Sequence, residues 1–282
     1  MKSRYFSITW GAMLLFIAMI ANAQEPTMTH QPHQRFTLVG FGQAKMLDTY
    51  LSNENYSGTE LRMVSQTEKW HYREAIQESE RKDTVDHFWS HAFRHQLSLQ
   101  YTHPRSNDSN YLGGLYACIF NYSHNWNRWI AGHHVTFQAG LQAELGLGFL
   151  YSTRNTNNPA QARAYLNAGP AASVNYPFHA FRIRRPLALR YEVNAPLLGI
   201  LFSPNYGQSY YEIFTRGNYD HNCVLTTPFN APTLRQMLTL DVQLKAFTMR
   251  LGYIGDFEQA KVNSLKYHTY SHLFTIGFVK NL

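Results

Sequence analysis

Between Val135 and Tyr151 the chain alternates with a single fault. Odd positions carry Val135, Phe137, Ala139, Leu141, Ala143, Leu145, Leu147, Phe149 and Tyr151. Even positions carry Thr136, Gln138, Gly140, Gln142, Glu144, Gly146 and Gly148, and only Leu150 breaks the order. A period of two gives an extended strand one oily and one wet face. Strands of soluble proteins run about 5–6 residues, whereas a tilted strand crossing a bilayer takes ~9–11, apolar towards lipid and polar towards the lumen. This stretch therefore points to a transmembrane β-barrel.

The same alternation recurs. It covers Trp89–Tyr101, Ala164–Phe178, Leu187–Leu197, Leu234–Leu244, Phe247–Phe257 and Tyr267–Lys280, and more weakly Phe36–Tyr50, Thr59–Trp70 and Tyr111–Ser123. The expectation is all-β: an antiparallel up-and-down barrel of about ten strands, with eight or twelve left open. Long polar connections fall mostly on one side, at Leu51–Gly58, Thr102–Asn110, Ser152–Gln161, Phe202–Thr233 and Glu258–Lys266. The opposite side has His71–Asp86, His124–Gly132, Phe178–Arg185 and Leu244–Phe247, of which the charged run His71–Asp86 is long enough to hide two short strands. Aromatic residues gather at both rims: Tyr50, Tyr101, Tyr151, Phe202 and Phe257 at one, Trp126, Trp129, Phe178, Phe181 and Phe247 at the other. Interfaces select such rings.

Residues 1–23 read as a secretory signal, with Lys2 and Arg4 before the apolar run Gly11–Ile20 and a small-x-small site at Ala21-Asn22-Ala23. An uncleaved anchor is the alternative, but the run is shorter than the ~20 residues a spanning helix needs. A short leader, 24–34, precedes one barrel domain, 35–282. Loss of the signal lowers the net charge from +7 to +5. Mean hydropathy of −0.37 suits a barrel, in which only every second strand residue faces lipid. An exported basic chain meets phosphate-rich headgroups rather than nucleic acid, so lipid and lipopolysaccharide are the expected surroundings and no nucleic acid is expected. Cys118 and Cys223 could form one bridge in an oxidising compartment or stay as thiols.

The inward faces carry Arg94, Glu144, Arg190, Glu192, Arg235, Asp241 and Arg250. Charges inside a narrow lumen must pair, so these seven form a candidate polar network, with a selective channel as the other reading. His87, His91 and His95 share the face aimed at lipid, and a metal site there is the weaker reading. Asp220-His221, with Asp108, Asp256 and His103, offers residue types for a surface protease, and His103 with Ser106 for a lipid hydrolase. Pro104 interrupts strand pairing beside the latter. No phosphate-cradling glycine loop, Cys/His metal motif or nucleotide fingerprint occurs, so no cofactor and no metal is expected.

The long connection Phe202–Thr233 is too aromatic for a free loop. Tyr206, Tyr210, Tyr211, Glu212 and Phe214 are expected to fold inward as a cap, which could bind a ligand or partner. That segment, Ala195-Pro196-Leu197-Leu198-Gly199 before it, Tyr50-Leu51-Ser52, Tyr56-Ser57-Gly58 and Arg154-Asn155-Thr156-Asn157-Asn158-Pro159 resemble an uncharacterised outer-membrane family of Bacteroidota. The resemblance implies a barrel of unknown activity and no catalytic residue. Many such barrels end on an aromatic residue read by the assembly machinery, whereas this sequence ends Phe278-Val279-Lys280-Asn281-Leu282.

The expectation is a monomeric barrel in the outer membrane of a Gram-negative bacterium, inserted by the barrel-assembly machinery. Its role would be structural, binding or that of a narrow plugged pore. An outer-rim hydrolase is the alternative.

Overall fold

The computed structural model describes residues 33–72, 87–104, 109–130, 132–153, 159–179, 185–219 and 221–281. The strands are β1 (His33–Asp48), β2 (Ser52–Tyr72), β3 (His87–Pro104), β4 (Tyr111–Ile130), β5 (His133–Ser152), β6 (Ala160–His179), β7 (Pro186–Asn194), β8 (Leu198–Phe202), β9 (Cys223–Thr226), β10 (Thr233–Gln243), β11 (Thr248–Val262) and β12 (Leu265–Asn281). Among the described residues one short helix, α1 (Tyr210–Phe214), lies between β8 and β9. The expected signal and most of the leader lie outside the described residues, and β1 starts at His33, inside the expected leader.

Neighbours along the chain pair antiparallel, except β7 with β8 and β9 with β10, and β1 closes on β12 from Gln34↔Asn281 to Asp48↔Tyr267. Twelve strands fill ten wall positions, because β7 and β8 follow one another along β6, and β9 and β10 follow one another on the far side of that pair. The chain is an all-β, closed antiparallel barrel of ten strands. Among the described residues no helix is long and apolar enough to cross a membrane.

The outward face of β5 carries Leu141, Leu145, Leu147 and Phe149, all exposed, while Gln142 and Glu144 between them are buried. A surface apolar strip this long and regular is what lipid demands of strands. Leu150 is 1% exposed. It faces inward, into a cluster with Met46, Leu51, Tyr56 and Tyr111 at the upper end of the barrel. The one fault in the alternation is thus a core residue. A second internal cluster joins Phe36, Leu38, Val64, Met237, Ile254, Leu273 and Val279 across β1, β2, β10, β11 and β12. Parts of the lumen are therefore packed like a protein core, which a uniformly wet inner face did not anticipate.

Several expected loops are shorter than their polar composition suggests. Glu258–Lys266 is mostly strand: β11 runs to Val262, β12 starts at Leu265, and Asn263 and Ser264 make the turn at φ 50° and 61°. Two consecutive left-handed residues form the tight turn that fits the twist of a hairpin. Likewise β2 begins at Ser52 and β4 runs on to Ile130. The ladder continues wherever a neighbour is present, and past the hydrocarbon its outward residues are free to be polar. The stretch Leu187–Leu197 breaks after Asn194, where Pro196 has no N–H to donate. There the chain crosses Gly169, whose Cβ, if present, would lie 2.5 Å from the Ala195 carbonyl oxygen. Of the rim aromatics, Tyr101, Tyr151 and Trp129 are exposed. Tyr50 and Phe202 instead turn towards α1. Phe181 and residues 73–86 lie outside the described residues.

Candidate functional site

β2 and β7 are five wall positions apart in a ring of ten, so they face each other across the lumen. Arg190 on β7 donates from Nη1 to Glu68 Oε2 on β2 at 3.0 Å. The Arg190 Nε lies 2.7 Å from Glu192 Oε1. Arg94 on β3 donates to Glu192 Oε2 at 2.5 Å and to Gln66 Oε1 at 2.6 Å. Gln138 on β5 ties in the third side, donating to Glu68 at 2.8 Å and accepting from Arg190 at 3.1 Å and Ser173 at 2.5 Å. The lumen is bridged in its lower half by side chains alone.

A second set lies above it. Arg235 pairs with Glu144, with Asp256 at 3.0 Å and with Glu258. Arg62 reaches Asp256 at 2.8 Å and Glu60 at 2.5 Å. Glu60 Oε2 also accepts from Gln100 at 2.9 Å and Ser271 at 2.5 Å. Tyr165 donates to Glu144 at 2.7 Å. Its ring lies over Gly146, where a Cβ would come within 2.2 Å of Tyr165 Cζ. Lower down, Arg250 binds Asp241 through two hydrogen bonds of 2.6 Å, its guanidinium 4.6 Å over the Phe36 ring. Burying charge costs several kcal/mol per ion unless it is paired. The pairs therefore satisfy one another and fix geometry, with modest net gain.

All seven candidate lumen residues lie in these pairs. Glu60, Arg62, Gln66, Glu68, Gln138, Tyr165 and Glu258 belong with them and were not singled out. On β2 the signal was present, since Glu60, Arg62, Gln66 and Glu68 all fall on even positions. Asp256, also expected at the outer rim, is held inside by Arg62 and Arg235.

Over the upper end sits the segment after β8. Ser209 caps α1: its backbone N–H donates to Glu212 Oε2 at 2.8 Å, and its Oγ accepts from the Glu212 N–H at 3.3 Å. This reciprocal box satisfies two helix-end donors. Ile213 is fully buried beneath. The Tyr210 hydroxyl accepts from the Ala162 N–H at 2.7 Å, and Tyr50 donates to the Gln208 carbonyl at 3.1 Å. Asn263, in the β11–β12 turn, donates to the carbonyls of Ser203 and His221, each at 3.0 Å. Burial, with the charges of Asp48 and Glu212, pushes the Tyr50 hydroxyl up to about 12. The Ser209 N–H and hydroxyl hold the Glu212 carboxyl below its usual range. Of the five candidate cap residues, Tyr210 and Glu212 build the cap, while Tyr206, Tyr211 and Phe214 are exposed on it.

Residues 12–282 match a family described as protein of unknown function (DUF3316). The chain belongs to that family. No curated protein matches its sequence. Among solved structures it is similar to the transport unit of the autotransporter AIDA-I from Escherichia coli, with TM-score 0.52 and 7% identity over 95% of this chain and 96% of that one. It is less similar to the translocator domain of the autotransporter NalP from Neisseria meningitidis, with TM-score 0.38 and 8% identity over 97% and 95%. The first likeness shows the barrel fold alone.

The remaining candidates of this DUF3316 chain do not assemble into one site. His91 and His95 lie on the outward face of β3. His91 Nδ1 is 2.9 Å from His71 Nε2, and His95 Nδ1 is 2.5 Å from the Tyr116 hydroxyl. The His87 side chain lies outside the described residues. Among the described residues no three His, Cys, Asp or Glu side chains are placed to hold one metal ion. Cys118, 3.8 Å from His95 Nδ1, and Cys223 are free thiols. Ser106, Asp108 and Asp220 lie outside the described residues, so neither proposed hydrolytic pair is described with its partner.

Proposed function

We propose that this chain is a plugged barrel of the outer membrane of a Gram-negative bacterium, the short motifs pointing to Bacteroidota. It serves as a rigid scaffold for a binding cap rather than as an open pore. The carrying observation is the pairing of Arg190 with Glu68 from opposite walls, reinforced by Arg94 with Glu192. Ions cannot pass such bridges without separating buried opposite charges, which costs several kcal/mol. The cap is a folded structure on a rigid rim, the setting in which binding residues concentrate. Lipid and lipopolysaccharide surround it, the assembly machinery inserts it, and it works as a monomer, since its sheet closes on itself and offers no long free edge.

Planar-bilayer recording tests the plug. The native barrel is expected to be silent, and so is a variant in which a short glycine linker replaces 205–219. A variant with Glu68, Arg94, Arg190 and Glu192 all changed to Ala should conduct. Steady conductance of the native protein would overturn the reading.

A further inference from the structure

At the level of Ala195–Leu197 the barrel wall divides. Below, β7 pairs with β10 up to Asn194↔Arg235; above, β8 pairs with β9, from Gly199↔Thr226 to Phe202↔Cys223. Only 195–198 separates these rungs on one side, against 227–234 on the other. The surplus forms a turn, closed by the Ala231 N–H donating to the Thr227 carbonyl at 2.8 Å. Beyond the turn, the carbonyls of Asn230 and Pro232 accept from Lys261 and Gln259 of β11 at 2.7 and 3.1 Å. So β9 stays with β8, the segment 230–232 stays with β11, and among the described residues no ladder joins the two.

The parting is an open cleft in the wall. Pro196, Leu197, Leu198 and Ala231 line its mouth; Leu201, which pairs beside inward-facing Tyr165, lines its interior with Asn167, Thr226, Arg235 and Glu258. Leu145, Leu166, Ile200 and Leu225 stand side by side across β5, β6, β8 and β9, and all four are exposed on the outward face. The mouth of the cleft therefore opens at the depth of hydrocarbon. Irregular backbone survives at that depth only where it is buried or lines a cavity.

We propose that the cleft binds one single-chain amphiphile from the surrounding leaflet, with the tail between Leu197, Leu198 and Leu201 and an uncharged, hydroxyl-bearing head at the inner end. The head chemistry follows from charge. Arg235 is already met by Glu144, Asp256 and Glu258. With Arg62, Glu60, buried Asp48 and Arg163, which lies 3.9 Å over the Tyr267 ring, the upper lumen sets three guanidiniums against five carboxyl groups. A carboxylate or phosphate head would add to the excess negative charge. A hydroxyl head can donate to those carboxylates and to Asn167. Nothing in this depends on whether the lumen below conducts.

The test is photo-crosslinking of the full chain in lipid nanodiscs with a diazirine-tailed monoacylglycerol, read by peptide mass spectrometry. Labelling is expected at Leu197, Leu198 or Leu201. Unlabelled monododecanoylglycerol should compete it away, and dodecanoate should not. Leu201→Trp and Ala231→Trp, each checked for folding by heat-modifiable migration, should cut labelling about tenfold while labelling at the lipid-facing Phe41 and Ile276 stays. Label spread evenly round the barrel, or equal competition by dodecanoate, overturns the proposal. The competition arm needs only the native protein, so it decides even if both variants misfold. Conductance is not read here, so failure of the plug and failure of the cleft remain distinguishable.

Discussion

Arg190 Nη1 and Glu68 Oε2 meet at 3.0 Å although their strands stand on opposite sides of the ring. The pair spans the barrel's inner width at that height, and neither side chain can withdraw without stranding the other. Arg190→Ala should therefore destabilise the barrel by about 3–5 kcal/mol, whereas the joint replacement Glu68→Leu with Arg190→Leu should recover most of that loss. Urea midpoints in lipid vesicles, followed by tryptophan fluorescence, give both numbers. A single variant as stable as the native protein would show that the pair is open to water.

Leu150 gives a test of what fills the upper lumen. Changing it to Gln would perfect the alternation of β5, and in a wet lumen it would be harmless. Packed against Met46, Tyr56 and Tyr111, the amide has to be buried, at a cost of about 1–3 kcal/mol. The same unfolding assay reads the difference, and an unchanged midpoint would rule out a dry cluster there.

Gly146 leaves the space that the Tyr165 ring fills. Gly146→Ala should push the ring away from Glu144 and lower stability by about 1–3 kcal/mol, as overpacking does. Tyr165→Leu in the Gly146→Ala background should cost less than the two changes summed. Strict additivity would mean that ring and glycine do not meet.

The cap carries its own pH dependence. Glu212 has its folded-state pKa lowered by the Ser209 N–H and hydroxyl. It therefore stabilises α1 above its unfolded value, and that contribution is lost as pH falls through the folded one. Amide exchange at Ile213 and Phe214, corrected for intrinsic rates, should quicken on acidification below the ordinary carboxylate range. Glu212→Gln should abolish most of that pH dependence. Exchange equally pH-dependent in both proteins would remove the capping box from the account.

The outward faces were legible because lipid is a uniform solvent: Leu141, Leu145 and Phe149 answer to it one by one, whatever their neighbours are. The inner charges were legible in kind only. Arg62 and Asp256 lie 194 residues apart in sequence, and nothing local says that they touch. Loop lengths were overstated for a related reason. Gln259 and Lys261 are exposed and polar, so the lipid signal stops at them, while Ala260 and Val262 go on facing inward and the ladder continues. The inner apolar cluster escaped because Met237 and Ile254 fall on faces otherwise marked by Arg235, Asp256 and Thr239.

The seam between β1 and β12 binds the earliest described strand to the latest, from Gln34↔Asn281 to Asp48↔Tyr267. Nine wall positions must exist before the tenth can join them. A chain cut short before Leu265 would not become a slimmer cylinder. It would present two raw margins to the membrane, each with a row of unmet N–H and C=O groups, and would stitch itself to whatever strand came near. Insertion of this protein is all or nothing, and a premature stop makes a hazard to its neighbours.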